Sequence, residues 1–168
     1  PAATAPAEAT FPPEFAGGDW KKGREVFLGA SAQCSKCHTI RGEGGKIGPD
    51  LSNLVERDFE SVFRDVSQPG AAINPDYVAY QVALVDGRTL AGSVRTEGDR
   101  LRVGLATGEE VVLPRSEVEE MKPTGISTMP EGLPAAIGPE NLKHLMAFLL
   151  QKPPAPPPIH RDDAPPPR

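Results

Sequence analysis

The chain has 168 residues, with 20 prolines, 17 glycines, two cysteines and 38% hydrophobic residues, a length that suits one domain or one domain with an insertion. Its longest apolar run near the C-terminus, residues 145–150, falls far short of the roughly 20 residues that span a bilayer, which excludes a transmembrane helix. Two cysteines cannot staple a chain of this length, which excludes a disulfide framework. The formal charge of −5 is unevenly placed: residues 17–75 hold eight acids and eight bases, whereas residues 76–121 hold nine acids and five bases. No basic stripe is present, so nucleic acid is not an expected partner.

The ends differ from the middle. Four prolines fall in residues 1–16 and eight in residues 152–168. Residues 1–16 read as a Pro/Ala-rich extension outside the core, without the basic start and apolar centre of a signal peptide. Any export signal is therefore expected to have been removed or to lie outside this sequence. Residues 153–168 read as a proline-rich tail that favours extended polyproline II. The domain itself is expected over residues 17–152.

Within it, Asp19 suits the cap of a helix whose inward face carries Trp20, Gly23 and Phe27. Asp58 suits a second cap, with Phe59, Val62, Phe63 and Val66 on one stripe before Gln68-Pro69-Gly70 ends the helix. Residues 77–85, 89–95, 101–106 and 110–113 are rich in Val, Leu, Tyr and Thr. Asp86-Gly87, Glu97-Gly98-Asp99 and Thr107-Gly108 separate them, and such pairs supply the positive φ of tight hairpins. This predicts a small antiparallel sheet of three to five strands, inserted over about residues 76–121. A third helix is expected from Pro139, with Leu142, Leu145, Met146 and Leu149 on its apolar face.

The chemistry lies at Cys34-Ser35-Lys36-Cys37-His38. C-x-x-C-H is the attachment motif of a c-type haem: two thiols so spaced can reach both vinyl groups of a porphyrin, and the next residue offers an imidazole to the iron. A zinc site would need a fourth ligand from His144 or His160. A thioredoxin-like redox pair would want a βαβ context that does not surround residues 34–37. Of the three methionines, Met146 sits on the apolar stripe of the last helix and Met121 follows the charged run 117–120. Met129, in Ser127-Thr128-Met129-Pro130, serves no packing period, so it is the candidate for the sixth iron position. His/Met ligation by a soft, neutral thioether raises the reduction potential.

Gly23 and Phe27, the C-S-K-C-H run, Gly48-Pro49-Asp50-Leu51, Met129-Pro130 and Phe148 together resemble a class I cytochrome c. The resemblance implies a mostly α fold of three main helices around one covalent haem c, with the first and last helices crossing at Gly23. It also implies that Gly48 and Pro49 shape the proximal side, where the Pro49 carbonyl holds the free ring nitrogen of His38. Asn74-Pro75-Asp76-Tyr77, the run from Asp86 to Gly92, residues 113–118 and residues 129–133 are similar to a narrower family. That family is a bacterial haem-binding domain with a β insertion, often found at the C-terminus of large propeller-containing dehydrogenase-like proteins. His38 and Met129 are 91 residues apart, and without the 46 residues of the insertion the gap is 45, ordinary for a compact cytochrome.

The expected function is a monohaem electron carrier, not an enzyme, working in the periplasm or otherwise outside the cytoplasm. Cys34 and Cys37 would attach the haem, His38 and Met129 would ligate its iron, and Ile47, Leu51, Leu54, Phe63 and Leu133 are candidates for its dry wall. The expected partners are a redox donor and acceptor, with a larger membrane-associated or dehydrogenase complex possible. Two alternatives stand beside this: a docking subunit of a larger redox assembly, or a haem enzyme or gas sensor in which Met129 is not bound. The acidic insertion is either a docking surface or a lid over the haem edge.

Overall fold

A computed structural model describes residues 10–155. Asp19 accepts the Lys22 N–H at 2.9 Å and opens helix α1 (Trp20–Leu28). Asp58 accepts the Ser61 N–H at 2.8 Å and opens α3 (Phe59–Ser67). Each carboxylate satisfies a donor that the first turn cannot. Pro139 begins α5 (Pro139–Leu150) after Gly138, whose φ of 81° turns the chain into the helix. Two short turns complete the set, α2 (Cys34–Cys37) and α4 (Leu133–Ile137).

The helical core forms where α1 meets α5. Gly23 lies against the His144 carbonyl, and a Cβ there would come within 2.6 Å of Phe148 Cβ. A bare Cα is what lets the two backbones approach so closely. Phe27 and Phe148 are buried at this crossing, their ring centroids 5.4 Å apart, and Trp20 meets Phe148 edge-on at 4.9 Å. Val62, Val66, Leu145, Met146 and Leu149 extend the same core.

The N-terminal stretch departs from expectation. Phe11 and Phe15 pack on Phe59 with centroids 5.6 and 4.7 Å apart, and Phe15 also reaches Phe63 at 5.3 Å. Part of the extension therefore joins the core, because isolated aromatics can be buried without any local period to announce them. Residues 1–9 and 156–168, with most of the proline-rich tail, lie outside the described residues.

The insertion is a five-stranded antiparallel sheet with its own core. Strands β3 (Ala79–Leu84), β4 (Thr89–Glu97), β5 (Arg100–Leu105) and β6 (Glu110–Pro114) form a meander. A single 3-10 turn, Arg115–Glu117, then carries the chain to β7 (Val118–Pro123), which pairs with β3 on the far side. Gly87, Gly98 and Gly108 take positive φ at the three hairpin turns. Val82, Leu84, Leu101, Val103, Leu113 and Val118 make the sheet's core, distinct from the helical one. A smaller pair, β1 (Thr39–Ile40) with β2 (Glu43–Gly44), follows the C-x-x-C-H run.

The expectation of a mostly α fold needs correction. Helices and strands cover comparable lengths, since α2 and α4 are only four and five residues long while the sheet has a full fifth strand. That strand, Val-Glu-Glu-Met-Lys-Pro, reads from sequence as a charged run. It forms because backbone pairing to β3 needs no apolar side chains on an edge.

Two outcomes follow. Gly23→Ala should lower the unfolding free energy by about 2 kcal/mol, overpacking against a backbone carbonyl outweighing the gain in helix propensity, as read by the denaturant midpoint at constant m. The Ser61 N–H and hydroxyl hold Asp58 below its ordinary value of 3.8. Its folded-state pKa is depressed, so its stabilisation is complete above that value and is lost as pH falls through the folded one. Asp58→Asn, which still caps, should therefore flatten the acid limb of an unfolding-versus-pH curve.

Candidate functional site

Gln33, with φ of 54°, swings the chain into the single turn of α2. That turn sets Cys34 and Cys37 three residues apart, on one side of the helix. Both thiols are free and partly buried. Burial pushes the Cys34 thiol up to about 11 and raises Cys37 as well, so both stay protonated at neutral pH.

His38 closes the turn, its N–H donating to the Cys34 carbonyl at 2.9 Å. Its ring Nδ1 lies 2.9 Å from the Pro49 carbonyl oxygen. A carbonyl can only accept, so Nδ1 carries the hydrogen and Nε2 keeps its lone pair for a metal. Burial lowers the His38 pKa, with the Pro49 carbonyl pulling weakly the other way, which leaves the ring neutral and able to ligate.

The glycine-rich loop that follows is folded back over α2. Gly45 N–H donates to the Ser35 carbonyl at 2.7 Å, and Gly48 N–H to the Cys37 carbonyl at 2.8 Å. A Cβ on Gly48 would come within 2.7 Å of His38 Cε1 and 2.9 Å of Nδ1. Position 48 is thus a cradle for the imidazole that a side chain would fill. Beyond it, Leu51 N–H donates to the Thr39 carbonyl at 2.8 Å and Arg41 N–H to Ser52 Oγ at 2.7 Å.

Arg41 joins this loop to the helical core, a role its sequence position did not suggest. Its guanidinium lies 5.1 Å from the Phe148 ring centroid and 5.5 Å from that of Trp20. It donates to the Phe148 carbonyl at 3.2 Å and the Gln151 carbonyl at 3.0 Å. Those carbonyls form the C-terminal end of α5, where a cation is favoured. A positive φ of 49° at Arg41, beside Gly42 at 85°, turns the side chain there.

The structure thus brings Cys34, Cys37, His38, Gly48 and Pro49 into one hydrogen-bonded cluster. Met129 stands outside it, half-buried in an irregular loop with its N–H donating to Ser127 Oγ at 3.1 Å. Met146 is fully buried among the helices, and Met121 packs on the sheet core. His144 Nδ1 accepts the Asp19 N–H at 2.9 Å, so its role is to join α5 to the start of α1. His160 lies outside the described residues. Among the described residues no three His, Cys, Asp or Glu side chains converge as a metal site. Of the proposed wall residues, Leu51, Leu54 and Phe63 pack at the edge of the helical core. Leu133, half-buried, opens α4. Ile47 is buried elsewhere, against the sheet.

The donor set fits a covalently attached haem: two thiols on one turn, a neutral imidazole with Nε2 free, and a glycine beneath that ring. Gly48→Ala should displace the ring from the Pro49 carbonyl while the fold persists. The expected outcome is loss of the protected His38 Nδ1–H resonance in NMR spectra at unchanged far-UV circular dichroism.

Residues 20–89 match the family model for cytochrome c. The chain is 47% identical over 49 residues to a cytochrome c of Cochliobolus lunatus, covering 29% of this chain and 43% of that protein. It is 48% identical over 46 residues to a cytochrome c of Arabidopsis thaliana, covering 27% of this chain and 38% of that protein. The chain spans less than half the length of the curated relatives it matches. The matched stretch takes in α1, the C-x-x-C-H turn, the glycine-rich loop and α3, and these matches support a class I cytochrome c domain.

Proposed function

We propose that this chain is a monohaem c-type cytochrome that passes single electrons between redox proteins. The observation that carries the reading is the His38 imidazole, fixed through Nδ1 by Pro49 and cradled by Gly48 beside two cysteines on one helical turn. The match of residues 20–89 to the cytochrome c family model supports it. Cys34 and Cys37 would hold the haem through thioether bonds, and a bound haem supplies a one-electron Fe(II)/Fe(III) couple. His38 presents Nε2, and the Pro49 carbonyl keeps the ring from rotating and strengthens it as a donor.

Met129 is proposed for the sixth position. Met146 is committed to the helical core and Met121 packs on the sheet core, whereas Met129 belongs to neither. With His38 and Met129 both engaged by the bound haem, the protein would carry electrons and would bind no substrate at the metal. The domain is proposed over residues 17–152, with Phe11 and Phe15 of the preceding stretch packed onto it, and its place outside the cytoplasm follows from covalent haem attachment in the family. Its proposed partners are a redox donor and acceptor, met either alone or within a larger membrane-associated or dehydrogenase complex. Among the described residues no helix is long and apolar enough to cross a membrane.

The test is spectroscopic. One haem per chain should survive acid–acetone extraction, and the oxidised protein should show the weak sulfur-to-iron charge-transfer band. Met129→Ala should abolish that band and lower the potential by a sizeable part of the roughly 0.8 V that axial ligands span. An unchanged band would move the ligand to another residue. An intact protein lacking the band would instead favour an open iron and gas or peroxide chemistry.

A further inference from the structure

The insertion touches the histidine loop at one well-defined place. Ile47, next to Gly48, is only 4% exposed yet belongs to neither hydrophobic core. Its side chain lies on the sheet: a Cβ at Gly104 would come within 2.5 Å of Ile47 Cγ2 and 3.0 Å of Cγ1. Ser93, directly opposite Gly104 in the β4–β5 register, donates from Oγ to the Ile47 carbonyl at 3.4 Å. Ser93 is also 4% exposed and is the one buried polar residue among those described.

Register explains why this face is open to Ile47. Residues paired across strands share a face, and neighbours along a strand alternate. Ala79, Ser93 and Gly104 pair in turn across β3, β4 and β5. They form a row of small side chains on the face opposite Val82 and Val103, which point into the sheet's core. One branched side chain from outside seats on that row. A second contact sits nearby, where the β5–β6 turn meets the haem-attachment motif: a Cβ on Gly108 would come within 2.7 Å of Lys36 Cβ.

We propose that the five-stranded sheet is a clamp on the proximal loop, with Ser93 and Gly104 as positioning residues for His38. The sheet holds Ile47, Ile47 leads directly into Gly48 and Pro49, and those two residues hold the imidazole. The β5–β6 turn braces the other side of the same unit through Lys36. The inference rests on the haem reading for its effect on potential but not for its mechanical part. It also gives the insertion a use that neither a free docking surface nor a loose lid provides.

The test is a double-mutant cycle on the haem-loaded protein, read by hydrogen exchange at the Gly48 amide and by the reduction potential. Gly104→Ala should push Ile47 off its seat, speed Gly48 exchange by about tenfold and shift the potential. Ile47→Ala should loosen the same loop. The double variant should recover much of the Gly48 protection, because the two small side chains fit together again. Unchanged exchange and potential in folded Gly104→Ala would overturn the clamp, as would strict additivity in the cycle. If Gly104→Ala does not fold, Ser93→Ala should raise exchange at the same amide by a smaller factor, and no rise there would overturn the proposal equally. Failure of haem attachment in the parent chain would strike the haem reading alone, since Gly48 exchange still reports the mechanical coupling.

Discussion

Where α1 and α5 cross, Gly23 allows one backbone to rest on another, and much of the molecule is built out from that contact. The crossing packs Trp20 and Phe27 about Phe148 and directs the last carbonyls of α5 toward Arg41. Arg41 belongs to the loop that begins one residue after His38, so the helix pair holds that loop by its first turn. From there the loop's own hydrogen bonds, Gly45 to Ser35 and Gly48 to Cys37, carry the constraint to Pro49 and the imidazole. A side chain at position 23 would separate the helices and, through Arg41, loosen the loop around the candidate ligand.

The site shows how a small protein fixes one ring with very little material. His38 is gripped from two directions, by a carbonyl that sets its tautomer and by a glycine that leaves room for its flat face. The loop cannot spread away, because glycines 44 and 45 let it lie directly on the backbone of residues 35–38. Burial of the thiols and the ring keeps all three neutral.

The sheet is a second body with a separate core, joined to the helical part through a limited seam. Three of its arginines pair with its own acids: Arg102 bridges Glu97 and Glu110, Arg95 also meets Glu110, and Arg88 meets Asp86. Such exposed pairs contribute little stability; the six apolar residues inside hold the sheet together. What the acidic composition concealed is the small-residue face that receives Ile47. Three small residues on three strands become one surface only when the register aligns them.

Local chemistry determined a good deal by itself. The caps at Asp19 and Asp58, the stop after Ser67, the start at Pro139 and the hairpin glycines each act within a few residues, and the chain carries them wherever it folds. The C-x-x-C-H run likewise sets two thiols and an imidazole within one turn. Tertiary structure alone decided what depended on distant partners. It brought Phe11 and Phe15 onto α3, formed β7 from a charged run because β3 had a free edge, and placed Arg41 under the end of α5. It also turned His144 from a possible ligand into an acceptor for the Asp19 N–H, and Ile47 from a possible wall residue into a seam with the sheet. The reason is common to all five. Periodicity and turn chemistry report how a segment relates to itself, whereas these residues are defined by a surface that another segment supplies.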